Sequence, residues 1–253
     1  MPTNITTTAV VQESEEFWDR FTASAALHPA NLYRYTLISD IIHAWKGPKD
    51  RIVDLGCGNG VLLEHLHRRG IGRDLVGFDG SMAITQRNRQ RRPFAEFDQA
   101  DLQLPGKFPL QGLADVVVCS EVVEHMPVYA PVFQIAYNSL RSGGLFILTT
   151  QGGKRRRHDV ELLGHLRHYD INALANEVAA AGFTVTKRQQ AGWPALTVQK
   201  IAASLFMGRV EQELASTKEP SALFKFACKV IGIGLKLSSK RFGPQLVIAA
   251  QKP

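Results

Sequence analysis

Cysteine is scarce in this chain of 253 residues. Cys57, Cys119 and Cys228 are odd in number and show no C-x-x-C spacing, so neither a disulfide framework nor a zinc knuckle is encoded. A reducing, cytoplasmic compartment is the expectation. Long apolar runs are lacking too: Val230–Leu235, the longest wholly apolar stretch near the C-terminal end, falls far short of the roughly 20 residues that cross a bilayer. Met1–Gln12 is polar and threonine-rich, without the basic and apolar regions of a secretory signal, and no export is expected. Acidic charge is in deficit, with 23 Asp and Glu against 30 Lys and Arg and a net charge of +7. That balance suits an anionic surface without requiring nucleic acid.

What is present is ordinary for a globular chain. Hydrophobic residues make up 45% and charged residues 21%, enough to bury one core with additions. Glu13–Trp45 has helical apolar spacing, from Phe17, Trp18 and Phe21 to Leu37, Ile38, Ile41, Ile42 and Trp45, interrupted near Pro29; two helices are expected before the core. Short apolar strands then alternate with amphipathic segments. The strands are Ile52–Leu55, Leu75–Phe78, Val116–Cys119 and Leu145–Thr149, and the helices Val61–Arg69, Met82–Arg91, Val128–Leu140 and Ile171–Ala181, with turn signals at Pro93, Gly143-Gly144 and Gly182. This alternation predicts an α/β, mostly parallel, doubly wound sheet. Phe183–Gln189 reads as a sixth strand and Leu246–Ala250 as a seventh, separated by an insert too long for a plain connection. One domain is therefore expected over 1–253. It comprises an N-terminal helical cover (1–46), a core (50–192 and 244–252) and a helical insert or lid (193–243), helical at Leu196–Met207 and Ala222–Leu237.

Asp54-Leu55-Gly56-Cys57-Gly58-Asn59-Gly60 ends the first strand and opens a helix, placing glycines where the backbone must turn sharply and let a ligand approach. Asp79, 25 residues after Asp54 and followed by Gly80-Ser81, stands near the offset at which an acid meets a ribose diol. Asp101-Leu102 follows a third strand that lies between Leu75–Phe78 and Val116–Cys119, where a carboxylate and the backbone can recognise adenine. A nicotinamide site is disfavoured, because Leu62-Leu63 occupy the place of the third small residue of G-x-G-x-x-G. The spacing of Asp54, Gly56, Gly58, Gly60, Asp79 and Asp101 resembles the class I S-adenosylmethionine-dependent methyltransferases over Arg51–Phe183. That resemblance implies a seven-stranded Rossmann-like fold, S-adenosyl-L-methionine as cofactor, and contacts from Cys57, Asn59, Gly80, Ser81, Leu102, Ser120 and Glu121 besides those six residues.

After the fourth strand come Ser120-Glu121-Val122-Val123-Glu124-His125, on the side of the sheet where ligands bind in open α/β folds. The Glu-x-x-Glu-His wording resembles that of the ubiquinone-pathway O-methyltransferases, as does the segment from Phe17-Trp18-Asp19 to His28, Asn31 and Arg34. By that resemblance the acceptor is a small phenolic, isoprenoid or lipid-linked molecule, and Arg34 pairs with the cofactor's carboxylate. His125 is the candidate base, helped by Glu121, Glu124 or a metal they hold. The same wording resembles small-RNA 2′-O-methyltransferases, in which two carboxylates and two histidines hold a divalent ion. A helix starting at Glu121 would put Glu121, Glu124 and His125 on one face, and His165 is the choice for the fourth ligand. No binding module or aromatic platform accompanies the basic residues, which disfavours nucleic acid as a partner. A fold that binds cofactor without turnover is the remaining alternative, and no oligomeric state is marked.

Two basic features complete the sequence. Lys154-Arg155-Arg156-Arg157 follows the fifth strand and reads either as a solvated face or as a recruiter of an anionic acceptor. Arg87, Arg89, Arg91 and Arg92 read as solvation. In the insert, Lys225, Lys229, Lys236 and Lys240 fall in one helical stripe, among Leu223, Phe224, Phe226, Val230, Ile231, Ile233, Leu235 and Leu237, with no acid between Ser221 and Arg241. Such a helix either covers the site or lies at the surface of an anionic membrane.

Overall fold

The computed structural model describes residues 28–206, 208 and 222–253. The first expected helix, with Phe17, Trp18 and Phe21, lies outside them, as do Met207 and the part of the insert from 209 to 221.

The chain runs α1 (Pro29–Ala44), β1 (Arg51–Leu55), α2 (Val61–Arg68), β2 (Asp74–Asp79), α3 (Met82–Arg91), β3 (Glu96–Gln99), β4 (Ala114–Ser120), α4 (Ala130–Ser139), β5 (Leu140–Gln151), α5 (Arg157–Glu161), α6 (Ile171–Ala180), β6 (Thr184–Ala191), α7 (Ala195–Leu205), α8 (Ala222–Lys236) and β7 (Gln245–Gln251). The sheet has the order β3-β2-β1-β4-β5-β7-β6. Strands β1 to β5 pair in parallel, and β7 enters antiparallel between β5 and β6.

The central strands are continuous apolar runs because both faces are covered. On one face Val53, Leu55, Val117, Cys119, Phe146 and Leu148 pack against α4 and α6 through Val132, Phe133, Ile135, Leu174 and Val178. On the other, Ile52, Val116, Val118 and Ile147 meet Leu37, Ile38 and Ile42 of α1 and Leu62, Leu63 and Leu66 of α2. Proline at the first turn of α1 costs no hydrogen bond there and presets the helical φ.

Two departures from the sequence expectations concern β5 and α5. Gly143-Gly144 lies within β5 and not in a turn between helix and strand. The partner register jumps from Ala114↔Leu140 to Val116↔Leu145, so Arg141–Gly144 bulge out opposite Asp115, and Gly143 takes the left-handed φ of 74° that the bulge needs. Asp115 secures this edge by accepting the Asp50 and Arg51 amides and pairing with Arg141 at 2.9 Å. Second, α5 arises from the basic run, where the sequence pattern gave no helix. Both described parts of the insert are helical, and no helix among the described residues is long and apolar enough to cross a membrane.

Candidate active site

Strand order reverses between β1 and β4, which opens a crevice at the carboxyl ends of the strands. A cavity of about 700 Å³ lies there. It runs from the glycine turn after β1 to the inward face of α7.

The turn is shaped by residues that only glycine can replace. Gly56 has φ 74°, and a Cβ on it would stand 2.5 Å from the Val122 side chain. Gly58, at φ 47°, faces open space in the cavity wall. The turn is tied from below and from the side. Gly56 and Cys57 both donate to the Phe78 carbonyl, Gly58 donates to Asp79 Oδ2 at 2.9 Å, and Asn88 of α3 donates to the Gly58 carbonyl at 2.7 Å. Asp79 Oδ1 accepts the Ser81 amide at 3.0 Å. A carboxylate thus stands at the cavity wall beside an open glycine cradle, the donor and acceptor set that a ribose diol and a nearby backbone approach require.

Gly56, Cys57, Gly58, Asn59, Asp79, Ser120, Glu121 and Arg34 line the cavity. Other expected cofactor residues support this wall from behind. Asp54 is buried beneath the turn, where burial and the neighbouring Asp79 push its pKa up to about 7 against the pull of Arg34. Gly60 ends the turn in left-handed conformation ahead of α2. Ser81 caps α3 by accepting the Ile84 amide, and the Gly80 carbonyl accepts from Gln99. Asp101 bends its own loop by accepting the Gln103 amide at 2.8 Å, and Leu102 is buried in the core. The adenine contact expected from Asp101 and Leu102 therefore lies off the cavity wall. Arg34 is already engaged, with Nε on Ser120 Oγ at 3.0 Å and a guanidinium nitrogen 3.8 Å from Glu121. Arg92 does more than solvate: its side chain pairs with Glu64 at 3.0 Å and clamps α3 to α2.

The opposite half of the cavity is built on the segment after β4. No helix starts at Glu121. Its φ is 57°, and a single 3-10 turn follows at Val123–His125. The left-handed residue sends Glu121 one way and Glu124 and His125 another. Glu121 meets Arg34, Gln151 and Gln245, and Gln245 donates to it at 2.9 Å. Burial pushes the Glu121 pKa up, but Arg34 and the two glutamines outweigh this and hold the carboxyl below its ordinary value. Glu124 is fully buried. Burial and the charge of Glu121 drive its pKa well above the ordinary carboxyl range. Its Oε2 accepts from Thr150 at 2.8 Å, whereas Oε1 is buried without a hydrogen-bond partner among the described residues.

Glu124, His125 and His165 bring ligand atoms within 4.8 Å of one another, as do Asp159, His165 and His168. Glu121 stands outside both groups, so the expected four-ligand set is reduced to three. His125 and His165 stack edge to face with ring centroids 4.8 Å apart. Burial keeps His125 below the ordinary imidazole value, and burial together with His125 takes His165 down to about 3. Both rings are neutral near pH 7.

His165 reaches this position because its loop is stitched down. Arg155 donates to the carbonyls of His165 and Leu166, Leu166 donates to the Glu124 carbonyl at 2.8 Å, and His165 to the Asp159 carbonyl at 2.8 Å. The Arg155 side of the basic run is therefore structural. Arg157 pairs with Glu161 of its own helix. Asp159 is buried, pairs with Lys200 of α7 at 3.1 Å and lies 3.2 Å from His158. The Lys200–Asp159 pair fastens the insert to the half of the cavity built after β4. Sequence reading missed Gln151, Gln245, Gln199 and Lys200. Their signal was faint: Gln151 closes and Gln245 opens an apolar strand run, and Gln199 and Lys200 lie on the inward face of α7, beside Leu196 and Ala203 in the wall.

A family model described as a methyltransferase domain matches residues 30–188. A ubiquinone biosynthesis O-methyltransferase of Acinetobacter baumannii (strain ACICU) is 28% identical over 139 residues, covering 53% of this chain and 57% of the relative. The chain thus spans just over half the length of that relative. Among solved structures, a protein assigned as a methyltransferase, in complex with the Haloferax volcanii Trm112 methyltransferase activator, superposes with TM-score 0.61 at 16% identity over 94% of this chain and 97% of the other. A geranyl diphosphate methyltransferase in complex with S-adenosylmethionine superposes with TM-score 0.56 at 18% identity, covering 87% and 84%. The glycine turn, the strand order with its antiparallel β7 and the match over more than half the sequence lead to one assignment: this chain belongs to the class I S-adenosylmethionine-dependent methyltransferases.

Proposed function

We propose that the protein O-methylates a small phenolic, isoprenoid or lipid-linked acceptor, with His125 as the general base. One observation carries the reading. The half-buried imidazole of His125, which desolvation holds below its ordinary pKa, lines the same cavity as the glycine cradle and Asp79, so a candidate proton acceptor and a candidate cofactor seat share one cavity. S-adenosylmethionine, when bound, supplies an electrophilic methyl group on a sulfonium. The chain's own task is to align the two reactants and exclude water. Asp79 and the Gly58 cradle hold the ribose end. Arg34 and Glu121 set the charge between the halves, and Leu196, Gln199 and Ala203 of α7 enclose the acceptor. His125 removes the acceptor's hydroxyl proton as the oxygen attacks. The O-methyltransferase activity of the curated relative supports oxygen as the acceptor atom.

The test is direct. Purified protein with isotopically methyl-labelled cofactor is incubated with a lipid and small-molecule extract, and products are read by mass spectrometry. A labelled ether that disappears with His125→Ala is expected. A labelled amine or C-methylated product would overturn the oxygen assignment.

A second reading is favoured by the unpartnered Oε1 of Glu124 beside His125 and His165. These three residues would hold a divalent ion, whose charge would favour the ionised acceptor hydroxyl. Two imidazoles and one carboxylate suit zinc by ligand softness and leave magnesium or manganese open through the oxygen donor. Bound metal measured by elemental analysis and a fall in melting temperature on chelation are the expected results. Unchanged activity and stability after exhaustive chelation would leave the metal-free base.

A further inference from the structure

We infer that the outward faces of α7 and α8 form a docking surface for an anionic lipid bilayer. The inference rests on this surface alone and holds whichever acceptor is methylated. On α8, Leu235 is buried and the helix packs on α1 and α7. On the face away from that contact, Phe226, Val230 and Ile233, and Leu237 directly after the helix end, are 64%, 51%, 55% and 84% exposed. Offsets of 0, 4, 7 and 11 residues put them in one narrow stripe at 3.6 residues per turn. Soluble surfaces scatter such residues singly, and contiguous apolar stripes mark interaction sites.

The neighbouring helix continues the surface. Val198, Ile201 and Leu205 of α7, at offsets of 0, 3 and 7, are exposed, as is Phe206 after it. At the base of the pair, Trp193 donates to the Phe242 carbonyl at 3.1 Å, and both aromatic side chains are exposed.

Charge selects the occupant. Lys225, Lys229 and Lys236 are exposed on α8, one position before Phe226, Val230 and Leu237, and so flank the apolar stripe along its length. Lys240 continues the row and is exposed, reaching Asp40 only at 4.0 Å. Between Ser221 and Arg241 the sequence has no acid. An apolar stripe edged by lysines lies in the interface of a bilayer, with the apolar side chains among acyl chains and the ammonium groups at anionic headgroups. A protein partner would call for acidic rims of its own or mixed charges here, and α8 is too short to span.

The placement has a consequence for the site. α7 is the wall between the cavity and this surface: Leu196, Gln199, Lys200 and Ala203 line the cavity, whereas Val198, Ile201 and Leu205 face outward. A bilayer against that outward face would stand one helix diameter from the acceptor half.

The test uses the full chain and vesicles of phosphatidylcholine alone or mixed with phosphatidylglycerol, read by co-sedimentation at low and high salt. Calorimetry with S-adenosylmethionine confirms that each variant keeps its fold. The protein should bind the mixed vesicles at low salt and ignore phosphatidylcholine. Each Lys→Gln change among Lys225, Lys229, Lys236 and Lys240 should weaken partitioning about fivefold, the equivalent of about 1 kcal/mol per lysine. The combined variant Phe226→Ser, Val230→Ser, Ile233→Ser, Leu237→Ser should abolish binding. Failure of the unmodified protein to bind phosphatidylglycerol vesicles would overturn the inference, as would binding that both sets of substitutions leave unchanged. A dimer in sedimentation velocity that the serine variant converts to monomer, without vesicle binding, would assign the surface to a second copy instead. Methyl transfer to a soluble acceptor is read separately, so its failure is distinguishable from failure of docking.

Discussion

The cavity wall holds buried titratable groups shifted in opposite directions. Beneath the glycine turn, Asp54 is a buried carboxyl whose pKa burial and Asp79 push up to about 7. Across the cavity, His28 lies against Gln199 of α7, and burial together with Arg34 takes its pKa down to about 4. Asp54 withholds a negative charge and His28 a positive one, while Glu124 withholds a further negative charge beside His125. A cationic ligand would relieve the first, and a neutral, proton-bearing acceptor suits the second. The halves also differ in how they are built. The cofactor half hangs on strand ends and one short turn, whereas the acceptor half needs a left-handed glutamate, a stitched loop and a helix from the distant insert.

The largest effect that would sharpen this division is at His125. Replacing it with alanine should lower turnover by about 10²–10⁴-fold, with cofactor affinity unchanged, as read by single-turnover kinetics. Because His125 titrates below the ordinary imidazole value, the acid limb of the kcat/KM profile should fall below pH 6.5. A limb above that value would assign the proton transfer elsewhere.

The opposite shifts give opposite pH dependences. Asp54 binds its proton more tightly folded than unfolded, so its contribution to stability is present below its ordinary value of 3.8 and is lost as pH rises through about 7. His28 binds its proton less tightly when folded, so its contribution is present above 6.5 and is lost as pH falls towards about 4. In the wild type the two oppose each other across that window. Asp54→Asn should remove one of them and stabilise the fold by about 2–4 kcal/mol more at pH 8 than at pH 4. Denaturant melts at both pH values measure the difference, and an equal effect at the two would contradict the burial of a proton at Asp54.

A smaller effect separates two arginines of one basic run. Arg155 ties down the His165 loop, so Arg155→Ala should cost about 1 kcal/mol of stability and reduce turnover severalfold while cofactor affinity stays put. Arg157 makes an exposed pair with Glu161, and its alanine variant should change stability by less than about 0.5 kcal/mol. Thermal melts of the pair check the contrast.

The difference between the halves also explains what could be read in advance. Alternating strands and helices, the glycine turn and Asp79 are local in sequence, because a strand end and the following helix are fixed by neighbouring residues. The order of strands and helices and the glycine turn were therefore legible, although β5 begins at Leu140, before the expected Leu145, and Asp101 and Leu102 lie off the cavity wall. The acceptor half depends on contacts between residues far apart in the chain. Gln245 reaches Glu121 across 124 positions and Lys200 reaches Asp159 across 41, and no local periodicity announces such pairs. The expected helix from Glu121 failed for the same reason: Arg34, Gln151 and Gln245 hold its carboxylate in a left-handed turn that helix spacing cannot foresee. His165 was placed by its order along the chain, and Arg155 supplies the physical cause.

The central claim is that cofactor seat and proton acceptor occupy separable halves of one cavity. Calorimetric titration of S-adenosylmethionine into the wild type, Asp79→Ala and His125→Ala tests it most directly. Asp79→Ala should weaken binding by about 1–3 kcal/mol, because ribose hydroxyls would lose a charged acceptor, and His125→Ala should bind as the wild type does. Full affinity in Asp79→Ala, or an equal loss in His125→Ala, would contradict the account.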